Sequence, residues 1–184
     1  MPANTPAPTV GFPASGVSLP ANYRSTFVHY ATVDRIDNVI RDLYINPETA
    51  DNFKHGGLGY ALPDRTIIVI EAYAAKLDAD KKPLHDADGH LIKDAPLPMV
   101  HVAEKRSDWQ ASDFVSVARA GQWNFGSFDF NTGAHYVEDL TACFNCHNAT
   151  PETDFVYSYR LLALYAVRGG VQYSYCKEPD RIAC

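Results

Sequence analysis

The chain has 184 residues, 46% of them hydrophobic, a net charge of −6 and a pI near 5.6. That length predicts one domain around a single substantial core, and an acidic balance without a stripe of Lys and Arg excludes a nucleic-acid-binding surface. No apolar run reaches the length of about 18 residues that a membrane-spanning helix needs.

Residues 2–20 carry five prolines among Ala, Ser, Thr and Gly, which predicts an extended arm over 1–20 ahead of a single domain over 21–184. The start of the chain has neither the charged segment nor the apolar segment of a signal peptide. From Ala21 to about Ile36 the residues Tyr23, Phe27, Tyr30, Val33 and Ile36 recur at helical spacing, with Asn22 as a cap. His29 falls on this predicted helix and reads as a packing residue.

Val39–Ile45 alternates as a strand, with Val39, Arg41, Leu43 and Ile45 on one face. A guanidinium on the more apolar face is costly to bury without an acceptor. Arg41 therefore stands at a rim, joins an ion pair, or points at a bound group. Residues 46–59 read as a short helix or turn ended by Gly56, Gly57 and Gly59; no strand feeds a Gly-x-Gly-x-x-Gly pattern there, so a loop is expected in place of a phosphate cradle. Pro63-Asp64 turns into a strand over Thr66–Tyr73 that is apolar on both faces, as a covered central strand is.

Residues 78–98 turn polar and predict a long surface loop or hairpin tip. Within it, Asp86-Ala-Asp88-Gly89 resembles the opening of a calcium loop but lacks the third early oxygen ligand and the bidentate Glu, so a turn is predicted. Met99–Lys105 and Trp123–Phe130 complete four strands without regular intervening helices. The pattern implies antiparallel pairing and an α+β fold, a mainly antiparallel sheet with flanking N- and C-terminal helices. Near the C-terminus, Thr153 or Asp154 can cap a helix running to about Val167 and stopped at Gly169-Gly170.

The segment Cys143-Phe144-Asn145-Cys146-His147 carries the chemistry. Two cysteines three apart with a histidine directly after the second form the attachment site of a c-type haem, each thiol adding across a vinyl group and the histidine ligating the iron. A thioredoxin-like redox pair needs a βαβ setting, and a zinc site needs four ligands, whereas the next cysteine is Cys176. The prediction is one covalent haem c. Covalent attachment ordinarily takes place outside the cytoplasmic membrane, so the expected compartment is the bacterial periplasm, with Met1 standing where an export signal has been removed. In such a compartment the remaining Cys176 and Cys184 most simply pair with each other; separate thiols and an intermolecular bridge are the alternatives.

Taken in order, Asn22-Tyr23-Arg24, Ile40-Arg41-x-x-Tyr44-Ile45-Asn46-Pro47-Glu48, Leu62-Pro63-Asp64-x-Thr66-Ile67-x-Val69-x-Glu71, a strand bearing Trp123, the haem motif, and Thr153-Asp154-x-Val156-Tyr157 resemble cytochrome P-460 and its relative cytochrome c'-beta. The resemblance runs from Ala21 to about Leu164. It implies a homodimer, a proximal histidine from the haem motif, an open distal position, and a ligand such as nitric oxide, hydroxylamine or peroxide. By the same resemblance Arg41 matches a distal-pocket arginine, and Glu138 lies where some members carry a proton-relaying carboxylate; a solvated loop glutamate is the competing reading. Phe27, Phe53, Phe125 and Phe128 are candidates for an apolar cap over the iron.

One departure stands out. Cytochrome P-460 links a lysine just before the strand glutamate to a haem meso carbon, and here Ile70 precedes Glu71. A hydrocarbon side chain cannot form that bond; Lys105 and Lys76 are the nearest substitutes, but Lys76 lies about 20 Å farther along an extended strand. The expected function is therefore binding of small nitrogen oxides, with redox turnover as an extension. The alternatives are a hydroxylamine-oxidising enzyme and a six-coordinate electron-transfer cytochrome serving a redox partner protein, with Met99, His29, His55, His101 or His135 as the sixth ligand.

Overall fold

The computed structural model describes residues 15–177 apart from 57, 58, 60, 115, 137 and 138. Glu138 and Cys184 lie outside the described residues, as does the arm before Ser15. Cys176 is buried and disulfide-bonded.

The described residues form seven strands: β1 (Val28–Arg35), β2 (Val39–Ile45), β3 (Ile67–Ala75), β4 (Lys93–Lys105), β5 (Trp123–Asp129), β6 (His135–Tyr136) and β7 (Gln172–Cys176). They make one sheet in the order β6-β5-β4-β3-β2-β1-β7. Every neighbouring pair is antiparallel except β1 and β7, which run parallel. The helices are α1 (Tyr23–Thr26), α2 (Pro47–Lys54), α3 (Thr141–His147) and α4 (Tyr159–Arg168). The architecture is the expected α+β class.

Two predicted helices are corrected. Only Tyr23–Thr26 is helical at the N-terminal end, and Asn22, at a positive φ of 57°, heads it through its carbonyl and makes no side-chain cap. The rest of the expected helix is β1, where every residue from Tyr30 to Arg35 is buried. A strand covered on both faces shows no alternation, so its bulky residues fell at helical intervals without forming a helix. The C-terminal helix begins at Tyr159, because Asp154 and Phe155 both adopt positive φ (53° and 64°) and no helix passes through that conformation. Two strand boundaries hold closely: β2 spans the predicted residues, and β5 ends one residue early. β4 begins at Lys93, earlier than expected.

The polar stretch between β3 and β4 folds back as a hairpin arm, with Lys76 N bonded to Ile92 O at 2.7 Å. Its tip is the predicted turn: Asp86 Oδ1 accepts from the Asp88 and His90 backbone N–H groups at 2.9 Å each.

Period-two alternation gives the sheet two unlike faces. One carries Leu43, Ile68, Ala103, Trp123 and Phe125 and is covered by α2, α3 and α4. The other packs Val17, Tyr23, Val69, Val100, Val102 and Phe128, so the last residues before α1 join a core. Glu71, fully buried on this second face, accepts the hydroxyls of Tyr23 and Tyr73 at 2.5 Å each and pairs with Arg24. Burial first, and then the bond to Glu71, push both tyrosine hydroxyls well above their ordinary range, so they stay protonated donors.

Glu71→Ala removes the acceptor shared by three donors, and hydrogen bonds to a charged group contribute about 1.5–3 kcal/mol each. We expect it to lower the unfolding free energy by roughly 3 kcal/mol in urea titration. Because Glu71 sits on the face away from Ile68 and Phe125, the visible spectrum of the haem-loaded protein should not change.

Candidate haem site

The helix α3 presents the motif. Residues at i, i+3 and i+4 share one helical face, so Cys143, Cys146 and His147 point together. Phe144 does not line the cavity; it is fully buried and packs its ring edge-on against Phe125, the ring that His147 also meets, with centroids 4.9 Å apart. Phe144 thus anchors the helix while Cys143, Cys146 and His147 line a cavity of about 380 Å³. Neither Cys143 nor Cys146 is disulfide-bonded.

His147 is held in one orientation. Its Nδ1 lies 2.5 Å from the Phe155 carbonyl, which can only accept, so Nδ1 carries the proton and Nε2 is the nitrogen available to a metal. The ring packs on Phe125 at 4.6 Å and meets Tyr157 edge-on at 5.5 Å. Burial lowers the imidazole pKa; the Phe155 bond opposes that, and the positive charge of Arg41 adds to it. His147 is therefore neutral at neutral pH, the form that ligates iron. Tyr157 also donates its hydroxyl to the Cys146 carbonyl at 2.7 Å, tying the end of α3 to the segment that follows.

That segment is itself pinned to the sheet. Lys105 Nζ donates to the Leu62 carbonyl and to Asp154 Oδ2, both at 2.7 Å, and Asp154 Oδ2 accepts the Leu62 N–H at 2.9 Å. The next residue is Phe155. Gly121, at φ 57°, lies beneath its ring, and a β-carbon there would fall 2.5 Å from the ring. Lys105 is thereby committed to Asp154 and the Leu62 carbonyl and does not itself line the cavity, although its strand neighbour Ala103 and its cross-strand partner Trp123 do.

The sheet supplies the opposite wall. Arg41, Leu43, Ile70, His101 and Ser127 line the cavity with Cys143, Cys146 and His147. Arg41 is thus among the residues that line the cavity. Burial first, then the nearby Arg35, push the guanidinium down to about 10, while Asp37 and Cys146 pull it up, so it stays charged at neutral pH. Ile70 faces the cavity too.

The other candidates separate clearly. His29 lies on the second face, stacked on Tyr44 at 4.9 Å and 3.3 Å from Asp42. His55 is exposed at the end of α2, and His135 packs on Phe128 at 5.2 Å, on the second face. Met99 does not line the cavity either; His101 alone of the five proposed sixth ligands does. Among the four phenylalanines, Phe27 and Phe128 belong to the second face, Phe53 packs on Tyr159 at 5.6 Å, and Phe125 stands on the His147 side of the cavity.

A family model described as Cytochrome P460 matches residues 20–158. The chain belongs to the cytochrome P460 family. No curated protein matches it. Membership makes this P460-family chain a haem protein, and its residues fit the group: a largely apolar cavity, two thiols on one helical face, and a neutral imidazole whose Nδ1 is already engaged. Sequence reasoning passed over the Phe155 carbonyl and Ser127. A backbone acceptor leaves no trace in residue identity, but Ser127 follows Trp123 and Phe125 at period two on a buried strand and could have been flagged.

Lys105 and Asp154 are 7% and 11% exposed, and breaking a buried pair by removing one partner costs about 3–5 kcal/mol. Lys105→Met is expected to destabilise the protein by that order, measured by denaturant unfolding. Amide exchange over residues 150–158 should quicken more than in β3 if the pair pins that segment.

Proposed function

We propose that this P460-family chain is a mono-haem c-type cytochrome that binds a small nitrogen oxide, nitric oxide or hydroxylamine, at an open haem face. Cys143 and Cys146 would form the thioethers and His147 would ligate the iron. The placement of Arg41 carries this reading: a charged guanidinium shares a buried cavity with the haem-binding motif, and its field reaches both Cys146 and His147.

When bound, the haem supplies an iron whose vacant position takes the ligand. The protein does the rest. The Phe155 carbonyl holds the His147 Nδ1 proton and so fixes the ring, while Val33, Leu43 and Ile70 keep water from the opposite wall. Arg41 donates a charge-assisted hydrogen bond to the ligand oxygen. Ile70 at the place of the linking lysine favours binding over hydroxylamine oxidation as the main activity. The reading also takes a periplasmic location from the covalent haem, and a homodimer from the family; among the described residues no helix is long and apolar enough to cross a membrane.

His101 in the cavity wall favours one competing reading, a six-coordinate electron-transfer cytochrome. The ferric spectrum separates the two, since an open site gives a high-spin haem and a His147–His101 pair a low-spin one.

Haem should stay with the polypeptide through acid-acetone extraction, and proteolysis should yield haem peptides containing Cys143–His147 and none containing Thr66–Tyr73. Recovery of a haem-linked lysine peptide would return hydroxylamine oxidation to first place. A charged hydrogen bond contributes about 1.5–3 kcal/mol, so Arg41→Leu is expected to weaken nitric oxide or hydroxylamine binding about 10- to 100-fold. The ligand-free spectrum should hardly change, because His147 is untouched. Unaltered ligand kinetics with a small loss of stability would instead make Arg41 a structural residue.

A further inference from the structure

Leu43, Ile70, His101 and Ser127 are successive cross-strand partners on β2, β3, β4 and β5, forming one rung of the sheet. All four line the cavity. A histidine in such a covered row is costly unless its ring is engaged, and His101 Nδ1 lies 3.0 Å from Ser127 Oγ, which sets the ring's orientation in the wall. The adjacent rung, Ile68–Ala103–Phe125, is the one that touches the His147 ring. Side chains two residues apart on a strand stand about 7 Å apart, so His101 is one step farther from His147, and Arg41, two residues beyond Leu43, is a further step on.

We propose that His101, positioned by Ser127, is the proton-exchanging residue of the ligand pocket, which suits the site to small protic molecules of the form H–X, hydrogen peroxide and hydrogen cyanide as well as hydroxylamine. This rests on the open-site reading above. The H–X bond breaks as an imidazole N–H bond forms, the electron pair stays on X, and no atom changes oxidation state. Arg41 stabilises the resulting anion. Nitric oxide carries no proton and needs no such step.

The ionisable groups that share the cavity with His101 are Arg41 on β2, Tyr157 after α3, Arg160 on α4, Tyr175 on β7 and the haem-anchoring side chains of α3. Arg41 keeps its proton through the neutral range, and the Tyr157 hydroxyl is committed to the Cys146 carbonyl. Imidazole is the side chain that ordinarily exchanges a proton near neutrality, and the imidazole of His147 is assigned to the iron.

Stopped-flow association of cyanide and of nitric oxide with the ferric haem-loaded protein tests this, because cyanide enters as HCN near neutral pH and must shed its proton. General-base help is worth about 100-fold or more, so His101→Leu should slow cyanide about 100-fold while nitric oxide association stays within about threefold. Ser127→Ala keeps the imidazole and loses only its orienting hydroxyl; it should slow cyanide selectively by about 10-fold, within the same range of effects, and it serves if His101→Leu does not fold. Cyanide and nitric oxide rates that change together, or not at all, would overturn the assignment and leave the His101–Ser127 contact a structural one. A low-spin wild-type spectrum turning high-spin in His101→Leu would overturn it differently, by making His101 the sixth ligand. A wild-type protein that binds neither ligand refutes the open-site reading itself, whereas wild-type binding with unaffected variants refutes only the role of His101.

Discussion

The hydrogen bond from His147 Nδ1 to the Phe155 carbonyl is the contact on which the rest of the site depends. It selects one tautomer, one ring orientation and one nitrogen for a metal. A backbone carbonyl can do this only if its peptide is rigid, and several features converge on that peptide. Asp154 and Phe155 take left-handed conformations that the surroundings must enforce. Lys105 clamps Asp154 to β4, and Gly121 lets the Phe155 ring settle against the backbone.

The sheet divides labour by face. Successive residues of β3 show this most simply: Ile70 enters the cavity, and Glu71 enters the carboxylate–tyrosine cluster behind it. β2 does the same with Arg41 toward the cavity and Asp42 toward Thr32 and Lys93. A buried carboxylate with several donors resists sliding of one strand past another, because a one-residue slip would exchange the two faces and strand the charge in the apolar cavity. The polar cluster on one side thus helps keep Arg41, Ile70 and His101 in register on the other.

Where local pattern and final structure agree, the residues had one favourable placement. β2 is a short run rich in Val, Ile, Leu and Tyr, and β5 begins at a tryptophan that is almost fully buried; both were legible. Where they disagree, burial removed the signal. β1 is covered on both faces, so Tyr30 and Val33 could be read at helical spacing, and β7 joins it in parallel through contacts made far apart in sequence. The start of α4 was misplaced because positive φ at Asp154 and Phe155 is imposed by tertiary contacts and not by their own preferences.

The five-residue motif by itself determined which reactive groups the chain offers, since thiols, imidazole and their spacing are covalent facts that no folding alters. It also placed those three groups on one side of whatever short helix or turn formed. Tertiary structure alone decided what faces them. Arg41, Ile70, His101 and Ser127 come from four different strands, and only strand register brings them into one cavity, while His29, His55, His135 and Met99, equally plausible by residue type, are held elsewhere. The physical reason is that side-chain chemistry is local, whereas a wall made of cross-strand partners depends on pairings between residues dozens of positions apart.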